Sequence, residues 1–219
     1  MKTAILFGAT GLVGSELLRR IPDDPHYEKL LVFVRKKFKA RHLNVQVHEV
    51  NFDDPDSFAH LVKGDECFCA LGTTMRKARS KEAFRRVDFE LVVKIAEIAS
   101  SNNVKKFLVV SSVGANPSSK NFYLRTKGEM EKEVQKFPFP ETIIVRPSFL
   151  LGKRREFRLG EMVGIGFARI LNPLMIGPLK DYKPIRVKML AKAILNLANS
   201  ANDKSVFSSP ELMQLGKMF

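Results

Sequence analysis

A strand that turns through three evenly spaced glycines into a helix restricts this chain to few folds. Thr3 to Phe7 (Thr-Ala-Ile-Leu-Phe) is a short apolar run of the kind that fills a buried parallel strand. Gly8, Gly11 and Gly14 follow at intervals of three, and Val13, Leu17 and Leu18 open a helical pattern. Glycines let the backbone bend sharply and approach a pyrophosphate, while the helix N-terminus offers free N–H groups and the positive end of a dipole. The spacing is Gly-x-x-Gly-x-x-Gly rather than the more familiar Gly-x-Gly-x-x-Gly, placed where a dinucleotide fold carries it. A purely structural turn is the competing reading.

The pattern continues as alternating strands and helices. Lys29–Val34, Val45–Val50, Glu66–Ala70, Lys106–Val110 and Thr142–Val145 read as strands. Asp56–Val62 reads as a short helix, Ser80–Ser100 as a long one with Phe84, Val87, Leu91, Ile95 and Ile98 along one side, and Asn121–Lys136 as another. This order predicts an α/β fold: a doubly wound parallel sheet (a Rossmann fold) with a short C-terminal substrate-side extension. At 219 residues the chain has room for one large α/β domain or two small ones. The expectation is a single NAD(P)-binding domain over 1–219, with a cofactor-binding core over 1–149. Residues 150–219, including a clear amphipathic helix at Val187–Leu197, would pack over the ligand crevice. Gly164-Ile165-Gly166 has no strand before it in the right register, so it is not a second nucleotide loop.

Composition narrows the function classes. No apolar run is long enough to cross a membrane as a helix, and the first strand starts without a leader-like segment, so the cytoplasm is the expected compartment. Cys67 and Cys69 alternate within a predicted strand and read as buried thiols, not as a metal or redox site; no metal is expected. The formal net charge of +14 calls for an anionic ligand, an anionic surface or simply solubility. Basic residues cluster at Arg35–Arg41, Arg76–Arg86 and Lys153–Arg158, each after a strand end where open α/β sheets bind ligands. An anionic substrate and a solubilising basic surface both fit. Nucleic acid fits poorly, because no helix-turn-helix, zinc finger or RNA-reading aromatic motif is present. The glycines and Pro173 in Lys153–Leu174 argue against a membrane-surface helix.

Two positions point to chemistry. Arg35 stands at the C-terminal end of the second predicted strand, which faces the adenosine ribose in a dinucleotide fold. An arginine there suits the 2′-phosphate of NADP, whereas a carboxylate would suit NAD. Tyr123 and Lys127 are four apart on a predicted helix and so share a face. An ammonium beside a phenol favours the phenolate and tunes it for proton transfer. Ser111 or Ser112, at the end of the preceding strand, can hold a carbonyl oxygen at the same sheet edge.

Gly8-Ala9-Thr10-Gly11-Leu12-Val13-Gly14, Ser111-Ser112, Tyr123-x-x-x-Lys127 and Arg146-Pro147 together resemble an atypical short-chain dehydrogenase/reductase. The likeness is to the Tat-interacting-protein-like oxidoreductase group, supported by Val50–Asp53, Arg86–Asp88, Ser111–Ala115, Lys127–Glu129 and Arg146–Ser148. It covers essentially the whole chain, more loosely after Gly152. The resemblance implies NADP(H) with its pyrophosphate over Gly8, Thr10, Gly11, Leu12, Val13 and Gly14, and its 2′-phosphate near Arg35. Asp53 would lie by the adenine, Leu71 and Gly72 along the cofactor, and Pro147 and Ser148 by the nicotinamide. Tyr123 would donate the proton, Lys127 would bind the nicotinamide ribose, and Ser112 is the favoured serine. Many such enzymes carry a relay asparagine on the helix after strand four; the nearest counterpart here is Asp88. The implied activity is NADPH-dependent reduction of a small-molecule carbonyl, or the reverse oxidation of an alcohol. A non-catalytic, NADP(H)-bound regulatory or scaffold protein is the alternative, and a helix-faced homodimer fits the class.

Overall fold

The computed structural model describes residues 1–152 and 182–218. Strands β1 (Lys2–Phe7), β2 (Tyr27–Val34), β3 (Val45–Glu49), β4 (Glu66–Cys69), β5 (Lys106–Val110) and β6 (Glu141–Arg146) fall where the apolar runs predict them. With β9 (Val206–Ser208) they form a seven-stranded sheet in the order β3-β2-β1-β4-β5-β6-β9, in which every neighbouring pair is parallel. The strand order reverses between β1 and β4. Their C-terminal ends therefore open a crevice between crossovers that leave to opposite faces.

Alternation along each strand divides the core in two. Ala4 and Leu6, with Val32, Phe68, Leu108 and Val145, face one layer of helices. That layer holds α1 (Leu12–Arg20) through Val13 and Leu17, and α6 (Val187–Ala198) through Leu190 and Ile194. Ile5 and Phe7, with Phe33, Cys67, Cys69 and Phe107, face the other layer. There α4 (Leu91–Ser101) contributes Val92, Ile95 and Ala99, and α5 (Phe122–Val134) contributes Met130 and Val134. Cys67 and Cys69 are free, buried thiols on one face, as their spacing predicts.

The structure departs from the sequence reading in three places. Pro55–Leu61 winds as a 3₁₀ helix. The long helix from Ser80 is composite: after α2 (Met75–Ala78) come α3 (Lys81–Arg85), a π turn over Arg86–Glu90, and α4. In the π turn the Leu91 N–H bonds to the Arg86 carbonyl, five residues back. This wider turn moves the buried line from Phe84, Val87 and Leu91 to Phe84, Asp88 and Val92. The third departure is the tail. In its described part α6 packs beside α1, β9 pairs with β6, and α7 (Ser209–Leu215) follows as a further helix. The apolar face of α6 is wide enough to need a sheet to cover it, so this part builds the core where a cover for the crevice was expected. Near the crevice, β7 (Leu150–Leu151) and β8 (Ile185–Arg186) make a separate two-stranded sheet. The Lys153–Arg158 cluster, Gly164-Ile165-Gly166 and the whole of Lys153–Leu174 lie outside the described residues.

Candidate active site

The turn after β1 is built around two glycines that nothing larger can replace. Gly8 adopts φ +82°, and a Cβ there would lie 2.4 Å from the Ala70 carbonyl oxygen on the neighbouring strand end. A Cβ on Gly14 would lie 2.1 Å from the Gly8 carbonyl oxygen, so only glycine lets α1 settle onto the turn. That same oxygen accepts the Gly11 N–H at 2.9 Å. Gly11 caps α1 in extended geometry with no side-chain cap, and the first turn carries no acidic residue. The N–H groups of Leu12, Val13 and Gly14 thus open the helix without intrahelical acceptors, with Thr10 exposed beside them. A cradle that any Cβ would fill, ending in uncapped donors, fits a pyrophosphate.

A buried ion pair lies across the crevice. Lys127 on α5 is 4% exposed and Asp88 in the π turn 1%, and Nζ stands 2.8 Å from Oδ1. The other carboxylate oxygen, Oδ2, accepts the Thr73 N–H at 2.7 Å. Burial works against the Lys127 ammonium, but the Asp88 carboxylate and then Tyr123 outweigh it, and the pKa stands above the ordinary lysine value. Cys69, the next ionisable group, is pushed up to about 12, chiefly by burial, and stays a thiol. Tyr123, one turn before Lys127, is half-buried with its ring 5.5 Å from that of Phe84. Gly128 lets α5 reach the loop after β5, since a Cβ there would meet the backbone of Asn116 and Pro117 at 2.3 Å.

The two serines at the end of β5 have different surroundings. Ser111 is buried and its hydroxyl donates to Glu131 on α5, which also holds Arg146 at the end of β6 through Nε at 3.0 Å. This network clamps α5 to β5 and β6. The Ser112 hydroxyl makes only a 3.3 Å contact, to the Val113 carbonyl, and the residue is half-buried. Its hydroxyl is the freer of the two.

The remaining expected positions stand at the same strand edge. Arg35 is exposed directly after β2, and Leu71 and Gly72 directly follow β4 and Ala70. Pro147 is buried, and its carbonyl accepts the Val113 N–H at 3.0 Å. The side chains of two others are already engaged. Asp53 is exposed and pairs with Arg86 at 2.9 Å. Ser148 is buried; its hydroxyl donates to the Lys183 carbonyl and accepts from Ser209 at 3.0 Å, tying β6 to the tail. Asp88 is the site residue that helical periodicity misplaces; its signals are the resemblance, in which it is the nearest counterpart of the relay asparagine, and a carboxylate in an otherwise apolar line. Among the described residues no cluster of His, Cys, Asp and Glu could hold a metal.

Comparison with known proteins places this geometry. A family described as NAD(P)H-binding matches residues 8–162. Protein HTATIP2 of Rattus norvegicus is 32% identical over 226 residues, covering 99% of this chain and 90% of that one. The mitochondrial protein FMP52 of Candida albicans is 35% identical over 161 residues, covering 71% of this chain and 70% of its own. In fold, WbmH of Bordetella bronchiseptica in complex with NAD+ superposes with a TM-score of 0.72 at 16% identity, covering 99% and 80% of the two chains. A UDP-glucose 4-epimerase of Thermotoga maritima with UDP-glucose does so at 0.69 and 16%, covering 98% and 81%.

Proposed function

The chain belongs to the NAD(P)H-binding family, and from that premise we propose an NADP(H)-dependent oxidoreductase acting on a carbonyl or its alcohol. The observation that carries this is the Asp88-held Lys127, one helical turn from Tyr123, at the strand edge that also carries the glycine turn. NADP(H), when bound, supplies or accepts the hydride. The chain's own groups do the rest. The N–H groups of Leu12, Val13 and Gly14 hold the pyrophosphate, with Gly8 and Gly11 shaping the turn and Thr10 at its rim. Arg35 reads the 2′-phosphate, Leu71 and Gly72 line the cofactor, and Pro147 borders the nicotinamide, with Ser148 fixing the backbone there. Asp53 sits toward the adenine side, oriented by Arg86.

Ser112 hydrogen-bonds the substrate oxygen and Tyr123 exchanges its proton. The Lys127 ammonium places positive charge where negative charge develops on the phenol and binds the nicotinamide ribose. We take residues 1–219 as one functional unit, supported by the tail's share of the common core. The exposed cations after β2 and β4 favour an anionic substrate. Cytoplasmic residence is part of the proposal, and cell fractionation separates it from the mitochondrial location named for FMP52.

Thermal shift with NADP(H) against NAD(H), followed by a carbonyl screen with the preferred nucleotide, tests the reading. Tyr123→Phe is expected to cut reduction by about 10²–10⁴-fold and to leave NADPH affinity near normal. A protein that binds NADPH, reduces no carbonyl and binds a protein partner equally well with and without the Tyr123 hydroxyl is a scaffold instead.

A further inference from the structure

Asp88 occupies a site with no slack. Both carboxylate oxygens are committed, Oδ1 to the Lys127 ammonium and Oδ2 to the Thr73 N–H, inside the π turn that carries the residue inward. A Cβ on Gly72 would come within 3.3 Å of Oδ1 and 3.8 Å of Nζ, yet Gly72 itself is exposed. The pair therefore lies directly beneath an exposed glycine, at a place where any side chain would cover it. π turns recur at functional sites because they redirect one residue without ending the helix.

We propose that Asp88 is a positioning residue whose carboxylate joins Lys127 on α5 to the loop after β4, so that the ammonium and the Leu71–Thr73 backbone meet the nicotinamide ribose as one rigid surface. This rests on the NADP(H) reading above. With both oxygens accepting, the carboxylate orients the lysine and is not a link in a proton chain. One ammonium hydrogen goes to Asp88, leaving two for ligand hydroxyls and the phenol. The ionisable groups facing the pair are Tyr123 from α5 and Cys69 from β4. Because Cys69 stays a thiol, Asp88 is the counter-ion that keeps a buried ammonium charged.

The test uses the full chain labelled with ¹³C-lysine, with the Lys127 Cε resonance assigned through Lys127→Arg. Its titration is followed without nucleotide, and NADPH affinity is measured by fluorescence across the same pH range. In Asp88→Asn the Lys127 midpoint is expected to fall by at least about one pH unit. NADPH affinity should then weaken several-fold below that midpoint, because an amide has one acceptor oxygen for two donors, and about a further tenfold above it. Asp88→Glu keeps the charge but displaces it by a methylene; the midpoint should stay high while affinity falls several-fold at every pH. It serves on its own if Asp88→Asn does not fold. An unmoved midpoint in folded Asp88→Asn, affinity there that falls no further above the midpoint than below it, or unchanged affinity in Asp88→Glu overturns the assignment. If the unmutated chain binds no NADPH although the midpoint still moves, the nucleotide reading fails and the ribose-facing role fails with it. Persisting NADPH affinity with an unmoved midpoint overturns the role of Asp88 alone.

Discussion

A methyl group at position 14 has nowhere to go, because the Gly8 carbonyl oxygen occupies the place at 2.1 Å and is itself held by the Gly11 N–H. Gly14→Ala forces α1 away from the turn. Unfolding in urea should show a loss of about 1–3 kcal/mol, the usual cost of overpacking, and NADPH affinity should fall with it as the helix donors leave the turn. Gly11 is less confined, its nearest neighbour being the same oxygen at 3.2 Å, so Gly11→Ala should cost less on both measures. Arg35 belongs to a different class of residue, since it is exposed and supports no packing. Arg35→Asp should leave stability nearly unchanged and weaken NADPH far more than NADH in parallel titrations. Equal loss for both nucleotides would mean that Arg35 does not read the 2′-phosphate.

Three strands are tied together at Asp65, just before β4. Its backbone N–H bonds to the Thr3 carbonyl at 2.8 Å, and its carbonyl accepts the Lys105 N–H at 2.9 Å, so one residue joins the starts of β1, β4 and β5. Its carboxylate takes the Thr3 N–H at 2.9 Å, which with the Lys105 ammonium holds the pKa below the ordinary value. A carboxyl lowered on folding stabilises above its unfolded pKa, and that contribution disappears as pH falls through the folded value. Asp65→Asn should therefore flatten the acid limb of the urea midpoint plotted against pH; an unchanged limb would assign it to other groups. Leu190→Ala on α6 should cost about 2–5 kcal/mol in the same assay, because that side chain is fully buried in the core shared with β1 and β5. The strands β1, β2 and β4 to β6 were legible as apolar runs bounded by glycine, proline or charge, and β3 by the alternation of Val45 and Val47. Strand β9 was not: Val206-Phe207-Ser208 is too short for a period to register, and only its pairing with β6 makes it a strand. The π turn escaped for a related reason. A 3.6-residue period assigns Val87 and Leu91 inward, and one wider turn puts Asp88 there instead. Glycine spacing, Tyr123 and Lys127 could be read directly, whereas the partner of Lys127 depended on a backbone irregularity that no residue type encodes.

At the scale of the whole molecule, exposed cations follow both strands beside β1. Arg35, Lys36, Lys39 and Arg41 after β2, and Arg76 and Arg79 after β4, are all exposed, and these two strands flank β1. If these cations steer the cofactor, NADPH association should slow steeply as ionic strength rises, with dissociation changing little in stopped-flow measurements. A rate indifferent to salt would assign the charge to solubility alone. The position of β9 has a consequence for synthesis on the ribosome. The sheet grows outward from β1 in its middle, and the strand that seals its β6 flank follows β6 in the chain only after α6. Until Val206 clears the exit tunnel, β6 offers a row of unsatisfied backbone groups to any other extended peptide nearby. A nascent protein of this design therefore passes through one stage of its elongation as an open template, and a chaperone that shields strand edges would act in that interval.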